Sequence, residues 1–173
     1  ELGSAALFLL VLWRFGWTVA PAGAAMLLGL WALGILAVID LEHGVVPDHI
    51  SLPAIIVVLA IKALFVIRYS LFVPQLLLPI VVGMGWFIAQ RLISRGRWVG
   101  DGATRVGALM GAMFSLPQLL IALGASYIVG GIVATGLLAT GRAQRGAHVP
   151  LVPFLFIGST LATLFGEYVL RWY

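Results

Sequence analysis

The chain has 173 residues, 62% of them hydrophobic and only 9% charged, with a mean hydropathy of +1.15; a soluble domain of this size cannot hide so much apolar side chain from water, so lipid is the expected solvent for most of its surface. Cysteine is absent, which excludes a disulfide framework, a Cys-based zinc site and a thiol nucleophile. The net charge is +4, but the basic residues are scattered through expected loops rather than gathered in a stripe, which argues against a nucleic-acid partner.

In chain order, about seven segments approach the roughly 20 apolar residues that a helix needs to cross a hydrocarbon core of about 30 Å. They cover residues 2–20, 22–39, 52–67, 76–93, 103–116, 118–138 and 150–170. They predict an all-α polytopic membrane helix bundle, a single domain over residues 1–173. The opening at Glu1 leads straight into an apolar run without a basic n-region or a cleavage site, so no signal peptide is read there. A start without Met suggests a fragment or a processed chain. The fifth segment is too short to span, and Pro117 follows it where a continuous helix would break. A partly buried half-length helix is expected there. Gly107 and Gly111 form a GxxxG pair within it, and the sixth segment carries Gly124, Gly130, Gly131 and Gly136. Such small residues let helix backbones approach closely in lipid.

With seven spans, the connections after the second, fourth and sixth lie on the same side as the N-terminus. That side carries Arg91, Arg95, Arg97, Arg105, Arg142 and Arg145, and the other carries Arg14, Lys62, Arg68 and Arg171. The positive-inside asymmetry places the first set in the cytoplasm. Trp13, Trp17, Trp98 and Trp172 fall near span ends, as interfacial anchors do.

A carboxylate at membrane depth is costly and invites a functional reading. Of the six acids, Glu1 and Glu167 lie near the chain ends, where solvation at an interface is expected. Asp40, Glu42, Asp48 and Asp101 fall in loops or helix ends on the expected cytoplasmic side. Asp40 directly follows the apolar run 33–39, so it should lie at or just below the membrane surface, a candidate acid or base. The alternative is that it merely ends a helix, although the helix dipole disfavours an acid at a C-terminus. His43 and His49 show no metal-ligand spacing with other donors, so no metal site is expected.

The stretch Ile39-Asp40-Leu41-Glu42-His43-Gly44-Val45-Val46-Pro47-Asp48-His49-Ile50-Ser51-Leu52-Pro53 resembles the first signature of the type IV prepilin peptidases, intramembrane aspartic peptidases of the GxGD type. In that family an aspartate leads by several residues into an apolar-Pro-Asp/Asn turn. The resemblance implies that Asp40 is one of two catalytic carboxylates, with Pro47 and Asp48 as supporting turn residues.

The family's second signature is Gly-x-Gly-Asp followed by x-Lys/Arg and, eight residues after the aspartate, a glycine in a small-residue helix. Here Gly100-Asp101-Gly102-Ala103-Thr104-Arg105 runs on to Gly111. Gly100, Gly102, Arg105 and Gly111 fall in place if position 103 is the aspartate, and it is alanine. The other register, with Asp101 as the acid, would need glycine where Trp98 stands and puts nothing basic two residues on. The resemblance therefore makes Ala103 the position of the second catalytic aspartate. Aspartic proteolysis needs two carboxyls, one activating water while the other protonates the carbonyl oxygen, so this chain is expected to be a silenced form. Arg105 reads either as a group orienting the active-site carboxylates or as a cytoplasmic topology anchor. His148-Val149-Pro150-Leu151-Val152-Pro153-Phe154 is similar to the family's closing Pro-x-x-Pro-Phe stretch, for which a structural use is expected.

Many members of the family also carry a cytoplasmic zinc-binding region with two Cys-x-x-Cys pairs, and methylate the new N-terminus with S-adenosylmethionine. Neither pair is present, so that region is expected to be missing and methyl transfer is in doubt; peptidase activity needs no cofactor. The resemblance implies prepilin and pseudopilin substrates with a short basic leader, a multi-pass place among the lipids of the bacterial inner membrane, and an active site facing the cytoplasm. A proton- or ion-coupled transporter is the alternative from another class, but it calls for internal repeat symmetry that the sequence lacks. A structural scaffold leaves both signatures as coincidences. An archaeal preflagellin peptidase would share the aspartate positions, but the closing Pro-Phe stretch favours the bacterial type.

Overall fold

The computed structural model describes residues 3, 9, 21–68, 74–97, 99–141 and 150–172. Among them lie six α-helices and no strand: α1 Pro21–His43, α2 Asp48–Arg68, α3 Pro74–Ser94, α4 Asp101–Met113, α5 Leu116–Ala139 and α6 Val152–Trp172. Four of these, α1, α3, α5 and α6, are long and apolar enough to cross a membrane. The expected bundle of about seven spans is thus met by an all-helical, multi-pass architecture with fewer described spans. Of the segment expected over 2–20 only residues 3 and 9 are among the described residues, and Trp13, Trp17, Trp98, Arg14, Arg142, Arg145 and His148 lie outside them.

Helix ends follow local chemistry rather than hydropathy. α1 continues through Asp40 and His43 until Gly44, whose φ of 66° is the left-handed conformation that closes helices. The Gly44 amide donates to the Asp40 carbonyl at 2.9 Å. The Pro47 carbonyl accepts from the amides of Ile50 and Ser51 at 3.3 and 3.1 Å. Asp48, expected in a turn, is instead the first residue of α2, where its charge faces the positive end of the helix. The expected break between the fifth and sixth segments falls between Met113 and Leu116, and Pro117 lies in the first turn of α5, where a missing amide proton costs nothing. The Gln118 side-chain oxygen closes that start, accepting from the Ser115 hydroxyl at 3.1 Å.

The half-length helix is present: α4 has 13 residues, about 20 Å at 1.5 Å per residue. It is the innermost element, buried at Ala103 and throughout 106–113. Its GxxxG pair makes the close approach expected of it. A methyl on Gly111 would strike the backbone of Pro79 and Ile80 on α3, and one on Gly107 would strike Gly83 and Phe87. The glycines of α5 behave differently. Gly124, Gly131 and Gly136 face open space, and only Gly130 meets a neighbour, Phe154 at 3.3 Å from a built Cβ. The close contact between α5 and α6 is carried from the other side by Gly158, which lies against Ala122 and Ser126.

Lys62 also departs from expectation. Counted with the charges of the side opposite the N-terminus although it falls within the segment 52–67, it lies in the body of α2, and its ammonium donates to the Phe114 carbonyl at 3.2 Å, capping the end of α4.

Candidate functional site

The C-terminal end of α1 and the N-terminal ends of α4 and α6 meet around one cavity of about 460 Å³. Asp40, Val46, Gly100, Asp101, Gly102, Ala103, Arg105 and Val152 are among its lining residues. Asp40 and Ala103, far apart in sequence, therefore open onto the same space. Asp40 is 8% exposed and Ala103 7%. Asp40 sits in the last turn of α1, and its Oδ2 accepts the backbone amide of Val152, the first residue of α6, at 3.0 Å.

The two signature segments interlock. A methyl at Gly102 would come within 2.5 Å of Val46 Cβ and 2.7 Å of its Cγ2, so glycine lets the start of α4 rest on the loop that follows Asp40. Gly100 caps α4 in an extended conformation with open space around it; nothing steric demands glycine there. Arg105 pairs with Asp48 rather than with Asp40, joining α4 to the start of α2. Asp101 is paired with Arg91 of α3, with a second contact from Nη2 to Oδ2 at 3.0 Å. Its side chain is 65% exposed, at the rim of the cavity, whereas the side chain at position 103 is buried within it. Among the described residues no group of three His, Cys, Asp or Glu lies close enough to hold a metal ion.

Two features escaped the sequence. The Arg91–Asp101 pair was not anticipated, although opposite charges flanking a short interhelical turn are a usable signal. The Val152 amide reaches Asp40 from 112 residues away, and a backbone donor has no residue-type signature.

An all-helical, multi-pass membrane protein with a nearly buried carboxylate at the end of one span is the class these features define. Residues 27–135 match the type IV leader peptidase family, and the chain belongs to that family. A prepilin leader peptidase/N-methyltransferase of Pseudomonas aeruginosa is 30% identical over 179 residues, covering 100% of this chain and 59% of that protein. The protein of that name from Stutzerimonas stutzeri is 29% identical over 167 residues, covering 92% and 55%. Magnetosome protein MamZ of Paramagnetospirillum magneticum is 27% identical over 157 residues, covering 88% of this chain and 23% of its own. The chain thus spans a little over half the length of the peptidase relatives it matches. No solved structure matches it significantly.

Proposed function

We propose that this chain is the membrane core of an aspartic peptidase that removes the basic leader from type IV prepilins and pseudopilins, in a form silenced by alanine at position 103. The observation behind this reading is the shared cavity of Asp40 and Ala103 in a member of the type IV leader peptidase family. A carboxyl at position 103 would project into that cavity opposite Asp40. One of the pair would take a proton from water as it attacks the scissile carbonyl, and the other would donate a proton to the carbonyl oxygen. A single carboxyl cannot carry out both tasks. Asp101 is poorly suited to act as the second, being largely exposed and engaged by Arg91.

The substrate is drawn from the relatives' names and from the site's position. Asp40 lies in the last turn of a span, at a depth where a substrate's apolar helix can rest among lipids while its leader stays in water. Arg91, Arg95, Arg97 and Arg105 lie on the helices and turn at the same end of the bundle, an arrangement that favours a cytoplasmic face in the bacterial inner membrane. Lys62 no longer counts as a charge on the other side, which widens the asymmetry. Methyl transfer, the other half of the relatives' names, would call for S-adenosylmethionine, and no described residue is assigned to it. Membership of the family favours the peptidase over a transporter.

The test is cleavage of a model prepilin by detergent-solubilised protein as given, as Ala103→Asp, and as Ala103→Asp with Asp40→Asn. Cleavage by the Ala103→Asp form alone is expected. Cleavage by the chain as given, or by the form lacking the Asp40 carboxyl, would overturn the two-aspartate reading, and no cleavage by any form would count against a peptidase role.

A further inference from the structure

We propose that the backbone amide of Val152 is a positioning group for the Asp40 carboxylate, an inference that rests on the peptidase reading above. The Leu151 carbonyl accepts from the amides of Phe154 and Leu155 at 3.1 and 3.2 Å, which makes Leu151 the N-cap of α6 and Val152 its first helical residue. An amide at that position has no acceptor within its own helix, and a leucine N-cap offers no side-chain oxygen to nearby amides. The acceptor comes from α1 instead, as Asp40 Oδ2 at 3.0 Å, and both residues are nearly buried.

This arrangement suits a carboxyl that must hold one orientation. A side-chain donor would bring its own rotamers, whereas Val152 lies between Pro150 and Pro153, whose rings restrict the backbone on either side. The amide also stands at the positive end of α6, so its attraction for a carboxylate is directional and carried by the whole helix. The closing proline stretch, expected to serve only as a loop support, acquires a part in the chemistry: it fixes one oxygen of Asp40 in the cavity that Ala103 shares.

Proline tests this directly, because at the first position of a helix it fits the backbone and removes the amide proton, with Val152→Ala as the control for loss of the buried valine side chain. In the Ala103→Asp form, Val152→Pro is expected to lower kcat for a model prepilin on the order of 10- to 100-fold, the scale of a small misplacement of a reacting group. KM should stay where it was, while the melting temperature should fall modestly, because a nearly buried carboxylate oxygen loses this donor. Val152→Ala, which keeps the amide, should recover most of the loss in kcat. An undiminished kcat in Val152→Pro, or an equal loss in both variants, overturns the proposal. A second readout needs no activity: in the ¹⁵N-valine-labelled chain as given, the Val152 amide proton should move upfield in Asp40→Ala, and a resonance that does not move overturns the contact. Absence of cleavage by Ala103→Asp itself would count against the peptidase reading, and the amide resonance would then decide the positioning contact alone.

Discussion

Replacing Gly107 by alanine puts a methyl group where α3 and α4 leave no room. A built Cβ lies 2.5 Å from Phe87 Cδ2 and 2.9 Å from the Gly83 carbonyl carbon, closer than real Cβ atoms come. Phe87 is fully buried and Gly83 presents backbone, so neither can swing aside and the two helices must part. Overpacking of this kind costs about 1–3 kcal/mol, and two fixed obstacles place it near the top of that range. Alanine's better helix propensity returns about 1 kcal/mol, leaving a net loss of about 2 kcal/mol. Gly136→Ala on α5 supplies the internal standard, because nothing lies within 4 Å of its built Cβ; there the propensity gain stands alone. The two variants should therefore differ by about 3 kcal/mol, or about 6–12 °C in melting temperature at 2–4 °C per kcal/mol for a chain of this size. Circular-dichroism melting in a mild detergent at matched scan rates measures the difference. Melting temperatures that coincide would refute the close approach of α3 and α4, and with it the packing that sets the place of position 103.

Two further outcomes follow from the polar contacts. Asp40→Ala should destabilise the protein more than Asp40→Asn, because alanine leaves the Val152 amide without its acceptor, at about 1–3 kcal/mol, while asparagine keeps an oxygen in place; equal melting temperatures would show that α6 does not depend on the contact. Arg105→Gln should cost less than about 1 kcal/mol, since its partner Asp48 is 58% exposed and solvent screens the pair, and the effect should vanish at about 1 M salt. A far larger loss of cleavage by Arg105→Gln in the Ala103→Asp form would assign Arg105 a part at the site beyond stability.

Asp40 and the half-length helix were legible in the sequence for different reasons. The helix announced itself through its run length and the following proline, and Asp40 through an acid at the end of an apolar run together with a long family signature. The ends of the helices were less legible because hydropathy is blind to capping. Asp40-Leu41-Glu42-His43 is polar enough to read as a loop, yet it stays helical until a glycine can take a positive φ. Lys62 was counted as a topology marker although it falls within the segment 52–67, because a charge invites a place at an interface; its long apolar stem and a carbonyl at its tip allow it to lie inside the bundle. The α5 glycines showed the limit of spacing arguments: spacing names a helix face but not the neighbour, and among the described residues three of the four glycines meet none.

The two attachments between α2 and α4 have a mechanical consequence. Arg105 meets Asp48 near the cavity, and the Phe114 carbonyl meets Lys62 near the far end of α4. Asp48 and Lys62 stand about 21 Å apart along α2 at 1.5 Å per residue, so the longer helix splints the shorter one at both ends. A helix too short to reach both membrane surfaces has no interface of its own to fix its height, and a slip of a single turn would carry position 103 about 5.4 Å along the axis, away from Asp40. The splint supplies the vertical register that the bilayer cannot.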